Sequence, residues 1–309
     1  MKKKVSVALT TYNGSKYIVE LLDSLRQQTY LPDEVLIADD RSTDDTVNII
    51  KRYIEKYSLK NWNIYVNEHN LGWMHNFKNV ISKTTGDYVF TADQDDIWHK
   101  DKIQRYLECF QKSKAWLIVS DYHLIGSQAD HTPDMYPIKY DRMSNGLRKV
   151  LLNSQYDIIL RPGCVMAFNG TLKDIFLKIW TDNIPHDSLL WTISGITNNT
   201  YYLDFQSIDF RREENNASAS IGHDIFFKKI GIKKNKIVNN WYFNSNYVDS
   251  NKINVINRKV KWNQYRYELL FNHKVIYWIK LFKYRNCYLS NKQYVADLYY
   301  FFVALVNNH

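Results

Sequence analysis

Apolar positions in the first hundred residues follow two alternating rhythms. Four short runs rich in β-branched and apolar residues recur: Val5–Leu9, Glu34–Ala38, Trp62–Val66 and Tyr88–Ala92. Their starts lie 29, 28 and 26 residues apart, the spacing of strand–helix units in a parallel sheet. Between them apolar residues recur every three or four positions. Ile18, Leu21, Leu22 and Leu25 share one face, and Val47, Ile50, Ile54 and Tyr57 share another, a period that predicts helices. Ser42-Thr43-Asp44-Asp45 supplies a cap and first-turn acids for the second helix. Further along, Lys102–Phe110 reads as a helix and Trp116–Ser120 as a strand ending at Asp121. Residues 126–146 mix Gly, Ser, Pro, Asp and Asn and read as a long loop over the site. The pattern predicts an α/β fold with an open, mostly parallel sheet flanked by helices.

In such a sheet ligands bind outside the carboxyl ends of the strands, so the residues just past each strand carry the chemistry. They are Thr10-Thr11-Tyr12-Asn13-Gly14, Asp39-Asp40-Arg41-Ser42 and Asp93-Gln94-Asp95-Asp96. The last set puts three carboxylates in four positions. Two like charges ~4 Å apart repel by about 4 kcal/mol at an effective dielectric of about 20. A cation among them, or solvent around an exposed loop, would relieve that repulsion. Carboxylates are hard oxygen ligands suited to Mg²⁺ or Mn²⁺, and the convergence of polar loops on one crevice favours the metal. Neither G-x-G-x-x-G after the first strand nor G-x-x-x-x-G-K-[ST] anywhere is present, which argues against a dinucleotide dehydrogenase or a P-loop ATPase.

These motifs resemble family 2 glycosyltransferases of the GT-A fold, most closely a bacterial rhamnosyltransferase-like branch. The resemblance rests on Val5–Asn13, Glu34–Asp44, Asn70-Leu71-Gly72 with Asn76, and Thr85-Gly86-Asp87-Tyr88 leading into Asp93-Gln94-Asp95-Asp96-Ile97-Trp98. It is strong over residues 4–110 and thinner to about 220. It implies that Thr10, Tyr12 and Asp40 contact the nucleoside, and that Asn76 lies in a nucleotide-sugar-binding loop. Asp93 would sit near the ribose and share a metal with Asp95, the main ligand. Asp96 reads as ligand or helix cap, with the cap preferred; Trp98 reads as core or sugar platform. Asp121 falls on the same edge, as a sugar or acceptor contact or a turn residue. Arg161–Asn169 resembles the strand before the acceptor-side helix. Pro185-His186-Asp187 then resembles the base motif, making Asp187 the candidate general base. An Asp before an apolar helix is also an ordinary N-cap. Asp209–Ser218 resembles another motif of this branch, with Glu213 where the family has histidine. Arg211 there could face the diphosphate, since guanidinium matches phosphate geometry.

Composition widens the picture at the far end of the chain. The 309 residues carry a net charge of +9, yet residues 220–309 hold 15 Lys/Arg against 4 Asp/Glu. The boundary expected from this change divides a catalytic domain at 1–219 from a basic, aromatic, helical region at 220–309. The first would comprise a Rossmann-like nucleotide-sugar half at 1–110 and an acceptor half at 111–219. Lys259–Arg285 interleaves basic residues with Trp262, Tyr265, Tyr267, Phe271, Tyr277, Trp278 and Phe282. Helices with apolar sides and basic faces would pack on the catalytic domain, meet an anionic membrane, or form a homodimer. Cys109, Cys164 and Cys287 are widely spaced, which fits a reducing cytoplasm rather than a disulfide framework. The apolar run after Met1–Lys4 is too short for a signal peptide, and no run reaches the ~18 residues of a membrane span.

The expected activity is inverting, metal-dependent transfer from a nucleotide-diphospho-sugar, dTDP-rhamnose or a UDP-hexose. The acceptor would be a saccharide or lipid-linked, in polysaccharide or glycoconjugate synthesis, with the enzyme cytoplasmic or peripheral on the inner membrane face. A nucleotidyltransferase acting on sugar phosphates is the nearest rival, but it would want a glycine-rich basic loop after the first strand. A nucleic-acid binder would account for the basic end, but not for the acidic crevice, so no nucleic acid is expected.

Overall fold

A computed structural model describes residues 3–129, 135–141, 146–213 and 225–306. They fall into two compact units. The first draws on Met1–Val150, Leu160–Leu190 and Asn199–Glu214, the second on Leu151–Ile159, Trp191–Asn198 and Asn215–His309. The expected boundary at 219/220 lies outside the described residues, as do residues 214–218 of the Asp209–Ser218 stretch.

The first unit opens with β1 (Val5–Thr11), α1 (Ile18–Arg26), β2 (Glu34–Asp39), α2 (Thr46–Lys56), β3 (Trp62–Val66), α3 (Trp73–Lys83) and β4 (Tyr88–Asp93). Then follow β5 (Ile97–Trp98), α4 (Lys102–Lys112), β6 (Leu117–Ile125), β7 (Tyr140–Asp141) and β8 (Leu147–Val150). After them come β9 (Met166–Asn169), α5 (Gly170–Ile179), α6 (His186–Ile196) and β10 (Thr200–Arg211). The sheet order is β3-β2-β1-β4-β9-β6-β10-β8-β7, with β5 paired to β10. β3, β2, β1 and β4 run parallel, and β9 runs against both β4 and β6. Every residue of β1 is buried, which is why it reads as a continuous apolar run. Ile18, Leu21, Leu22 and Leu25 of α1 are fully buried in the same core as Val7, Leu9 and Phe90.

Two local expectations are refined. The strand expected to end at Asp121 continues to Ile125 as β6, because it pairs along β10 across two register shifts. At the start of α2 the side chain that serves the helix is Asp44, which accepts from the Thr46 backbone N–H at 3.0 Å. Of the expected long loop at 126–146, the described part includes β7 and the buried Ile138; residues 130–134 and 142–145 lie outside the described set.

The second unit contains α7 (Ile225–Phe243), α8 (Ile253–Leu270), α9 (Ile276–Leu281), a 3-10 segment (Phe282–Cys287) and α10 (Asn291–Val306). Ile232, Trp262, Leu269, Leu270, Leu281, Tyr294 and Phe301 form its core. The expectation of basic faces turned outward is corrected at three positions: Lys234, Lys259 and Arg266 are buried. Arg266 donates to both oxygens of Asp297, at 2.7 and 2.9 Å, and Tyr288 Oη donates to Asp297 at 2.7 Å. Lys259 lies 2.7 Å from Asp157, and Lys234 Nζ donates to the Asp157 carbonyl at 3.0 Å. An unpaired buried charge costs several kcal/mol, so these side chains are inside only because each has its partner. Among the described residues no helix is long and apolar enough to cross a membrane.

Candidate active site

β1 has β2 on one side and β4 on the other, so the strand order reverses there. The crevice beyond the carboxyl ends of β1 and β4 is where such a sheet binds its ligand. Thr10 pairs in register with Asp93 across it, and Tyr12, just past β1, has a 47% exposed side chain. Behind Tyr12 stands Gln94. Its Oε1 accepts the Tyr12 N–H at 2.8 Å, and its Nε2 donates to the Tyr12 carbonyl at 3.0 Å. Residue order offered no reason to single out Gln94, the middle residue of an acidic triplet.

The turn after β2 is held by carboxylates doing different jobs. Asp39 is fully buried and accepts from Thr11 Oγ1 at 2.8 Å, from Ser42 N–H at 2.8 Å and from Ser42 Oγ at 2.6 Å. Asp40, 3% exposed, accepts from Asn67 Nδ2 and Leu71 N–H at 2.8 Å and from Gly72 N–H at 2.9 Å. Asp40 thereby fixes the Asn70-Leu71-Gly72 loop. Asn76 stands a layer further back: it is buried, accepts from Asn67 at 2.9 Å and donates to the Ala38 carbonyl at 2.9 Å. Asn76 thereby supports Asp40 through Asn67.

Asp93, Asp96 and Cys164 bring one ligand atom each within 4.8 Å of one another. Asp96 is fully buried; its Oδ1 accepts from the Arg211 N–H at 3.2 Å and its Oδ2 has no hydrogen-bond partner among the described residues. The expected helix-cap role of Asp96 is overturned, because α4 starts at Lys102 with Asp101 at its cap position. Burial, reinforced by the charges of Asp95 and Asp187, pushes the Asp93 carboxyl up to about 7. Burial and the charges of Asp93 and Asp95 push Asp96 well above the usual carboxylate range. Buried Lys102 donates to the Cys164 carbonyl at 2.6 Å and lies over the Trp98 ring at 3.6 Å. Its own burial lowers its ammonium to about 7, against the pull of neighbours including Asp96 and Asp93, so it balances the acids poorly. An orphaned buried carboxylate oxygen beside carboxylates raised by one another fits a hard divalent cation. The Cys164 thiol, itself pushed up by burial, is a poor ligand for such an ion. Trp98, 2% exposed, belongs to the core and not to a sugar platform.

Arg211 runs along the acid loop. Its Nε donates to the Asp95 carbonyl at 3.0 Å, it pairs with Glu20 at 2.8 Å, and it lies 4.1 Å from the centre of the Tyr17 ring. Glu213 accepts from Tyr17 Oη at 3.2 Å and from Ser127 Oγ at 2.8 Å. Asp121 is engaged at both oxygens, by Arg161 Nε and by Tyr202 Oη, each at 2.6 Å, which makes it a structural ion-pair partner.

Asp187 is the second residue of α6, inside its first turn. A side chain on Gly163 would put its Cβ 2.7 Å from His186 Nε2 and 3.3 Å from the Asp187 Cβ. The Gly163 carbonyl in turn accepts from Thr91 Oγ1 of β4 at 2.6 Å. The bare glycine lets the start of α6 close on the strand that carries Asp93, 94 residues earlier. His186 is buried and stacks on Phe77 at 3.8 Å; burial lowers its imidazole to about 4, so it is neutral.

An open, mostly parallel sheet with this strand order and an acid-rich loop just past β4 is the arrangement of the GT-A fold. The chain belongs to glycosyl transferase family 2, whose model matches residues 6–179. It is 28% identical to the dTDP-rhamnosyl transferase RfbG of Shigella flexneri over 250 residues, 76% of this chain and 80% of that one. It resembles the structure of Staphylococcus aureus TarS 1–349 in complex with UDP-GlcNAc, at 22% identity and TM-score 0.62, over 83% of this chain and 71% of that one. The mannosyltransferase PcManGT from Pyrobaculum calidifontis, solved with GDP-Man and Mn²⁺, superimposes with TM-score 0.56 at 15% identity, over 100% of this chain and 87% of that one.

Proposed function

We propose that this glycosyltransferase is inverting and metal-dependent, with a nucleotide-diphospho-sugar as donor. Thr10, Tyr12 and Asp40 would bind the nucleoside, with Tyr12 flanking the base and Asp40 accepting its imide N–H. Asp93 and Asp95 would hold Mg²⁺ or Mn²⁺, with the buried Asp96 behind them; the ion, when bound, supplies Lewis-acid neutralisation of the diphosphate. The acceptor hydroxyl oxygen attacks the anomeric carbon as the bond from that carbon to the diphosphate oxygen breaks, and the hydroxyl proton passes to Asp187. Arg211 would orient the acid loop through the Asp95 carbonyl and face the diphosphate.

The observation that carries the reading is the close packing of Asp187 against Gly163, where an added Cβ would lie 3.3 Å from the Asp187 Cβ, while the Gly163 carbonyl accepts from Thr91 Oγ1 of β4 at 2.6 Å, two residues before Asp93. That packing supports a reading in which two carboxylates far apart in sequence would serve one crevice, Asp93 on the donor side and Asp187 as the base. The likeness to RfbG favours dTDP-rhamnose over a UDP-hexose. The acceptor is a saccharide or a lipid-linked one in bacterial surface polysaccharide synthesis, with the enzyme peripheral on the cytoplasmic face of the membrane. Thermal melting with dTDP-rhamnose, UDP-GlcNAc and GDP-mannose, each with and without Mn²⁺, tests this. A ligand at 100 times its dissociation constant adds about 2.7 kcal/mol, so stabilisation is expected from dTDP-rhamnose and only with the metal. Equal response to all three, or none, would reject that donor.

A further inference from the structure

Helix α10 is apolar on two opposite sides. Tyr294, Tyr300 and Phe301 are buried in the second unit's core, together with Asp297. Val295, Tyr299 and Phe302, spaced four and then three residues apart, form a second stripe and are 58%, 63% and 55% exposed. A helix apolar all round belongs where both sides are covered. The neighbouring α9 adds to the outer surface. Its Trp278 stacks on Tyr294 at 4.9 Å, while Ile276 and Ile279 are exposed; Phe282, 6.3 Å from the Tyr294 ring, is 52% exposed.

The charges around these residues have one sign. Lys292 lies three positions before Val295 and so heads the same stripe; Lys280, Lys283 and Arg285 alternate with the exposed apolar residues of α9 and the 3-10 segment, and all four are exposed. Among the described residues of this unit no acid stands free to balance them. The four acids among the described residues of this unit are each paired already: Asp157 with Lys259, Asp249 with Lys252, Glu268 with Lys274 and Asp297 with Arg266.

We propose that the outer face of α9 and α10 docks on an anionic lipid surface, its apolar residues entering the headgroup boundary and its lysines meeting lipid phosphates. A second copy of this chain fits less well, since a twofold contact is made by the same patch on both sides and would set these cations against each other. The inference rests on the membrane-face location proposed above and gives it a specific surface. It is tested without activity, so its failure is separable from failure of the sugar-transfer reading.

The experiment is co-sedimentation of the full chain with phosphatidylcholine vesicles, with and without phosphatidylglycerol. Two variants are compared with it: Val295→Ser with Tyr299→Ser and Phe302→Ser, and Lys280→Glu with Lys283→Glu and Lys292→Glu. The unaltered chain is expected to bind the anionic vesicles, less so at high salt. Each variant is expected to lower that binding at least about tenfold with melting temperature unchanged, because the altered side chains are exposed. Should the serine variant misfold, the charge variant decides. No binding, equal binding to both vesicle types, or binding unchanged by the charge variant would overturn the proposal. So would a lipid-free dimer, seen by sedimentation equilibrium, that both variants dissociate; the partner would then be a second copy.

Discussion

Gln94 grips the main chain of Tyr12 from both ends, accepting its N–H at 2.8 Å and donating to its carbonyl at 3.0 Å. The acid loop is thereby tied to the loop after β1 at the backbone of Tyr12, whose side chain is exposed. A side chain on Gly14 would place a Cβ 2.2 Å from Gln94 Oε1, so the grip also depends on that glycine.

Loss of the grip should weaken donor binding. With each hydrogen bond worth about 0.5–1.5 kcal/mol, Gln94→Ala is expected to raise KM for the nucleotide sugar about tenfold, with a smaller effect on kcat. Gly14→Ala should act in the same direction by displacing Gln94. Steady-state kinetics over a donor titration checks both; an unchanged KM would mean that Tyr12 is positioned by other contacts.

The raised acid cluster predicts how pH and metal act on stability. Asp93 holds its proton to about 7 when folded, against about 3.9 for an unperturbed aspartate. Between those values the folded chain binds more protons than the unfolded one, so the metal-free protein should lose stability as pH rises through that window. A cation competes with the proton, so Mn²⁺ should raise the melting temperature more at pH 8 than at pH 5.5. Asp93→Asn should flatten both dependences, and a variant with the same pH profile as the parent would disprove the assignment.

Asp95→Asn is expected to abolish nearly all turnover, and EDTA to silence the parent enzyme until Mg²⁺ or Mn²⁺ is restored. Full activity in excess chelator would rule out the metal.

Asp187→Asn keeps the shape of the first turn of α6 and removes its basicity. Turnover should fall at least about 10²-fold with donor affinity and melting temperature little changed. NMR of the parent's product should show the anomeric configuration opposite to the donor's. An active Asn variant would place the base elsewhere, though not at Asp121, whose oxygens are taken by Arg161 and Tyr202.

In the second unit, Arg266→Ala would leave Asp297 buried with Tyr288 and a Lys228 amine 3.8 Å away. Removing one partner of a buried pair costs about 3–5 kcal/mol, a loss that urea unfolding followed by circular dichroism would register. A change below about 1 kcal/mol would mean that water reaches Asp297.

The strand–helix alternation, and the gathering of the acid-rich loops past β1, β2 and β4 at one edge of the sheet, could be read from residue order. Hydrophobic periodicity is local: β1 is buried on both faces, so its run is apolar throughout, and the residues just past such strands must converge. Residue order could not rank those acids, because Asp39, Asp40 and Asp96 differ only in what folding brings to them. Asp39 receives a threonine and a serine hydroxyl, Asp40 receives the backbone of a loop some thirty residues on, and Asp96 keeps an oxygen with no hydrogen-bond partner among the described residues. Nor could it separate the basic residues of the last ninety positions into those locked inside, such as Lys259 and Arg266, and those left outside, such as Lys280 and Lys292. Charge is a property of the residue, but burial is a property of every element packed around it, and that was settled only when α7, α8 and α10 came together.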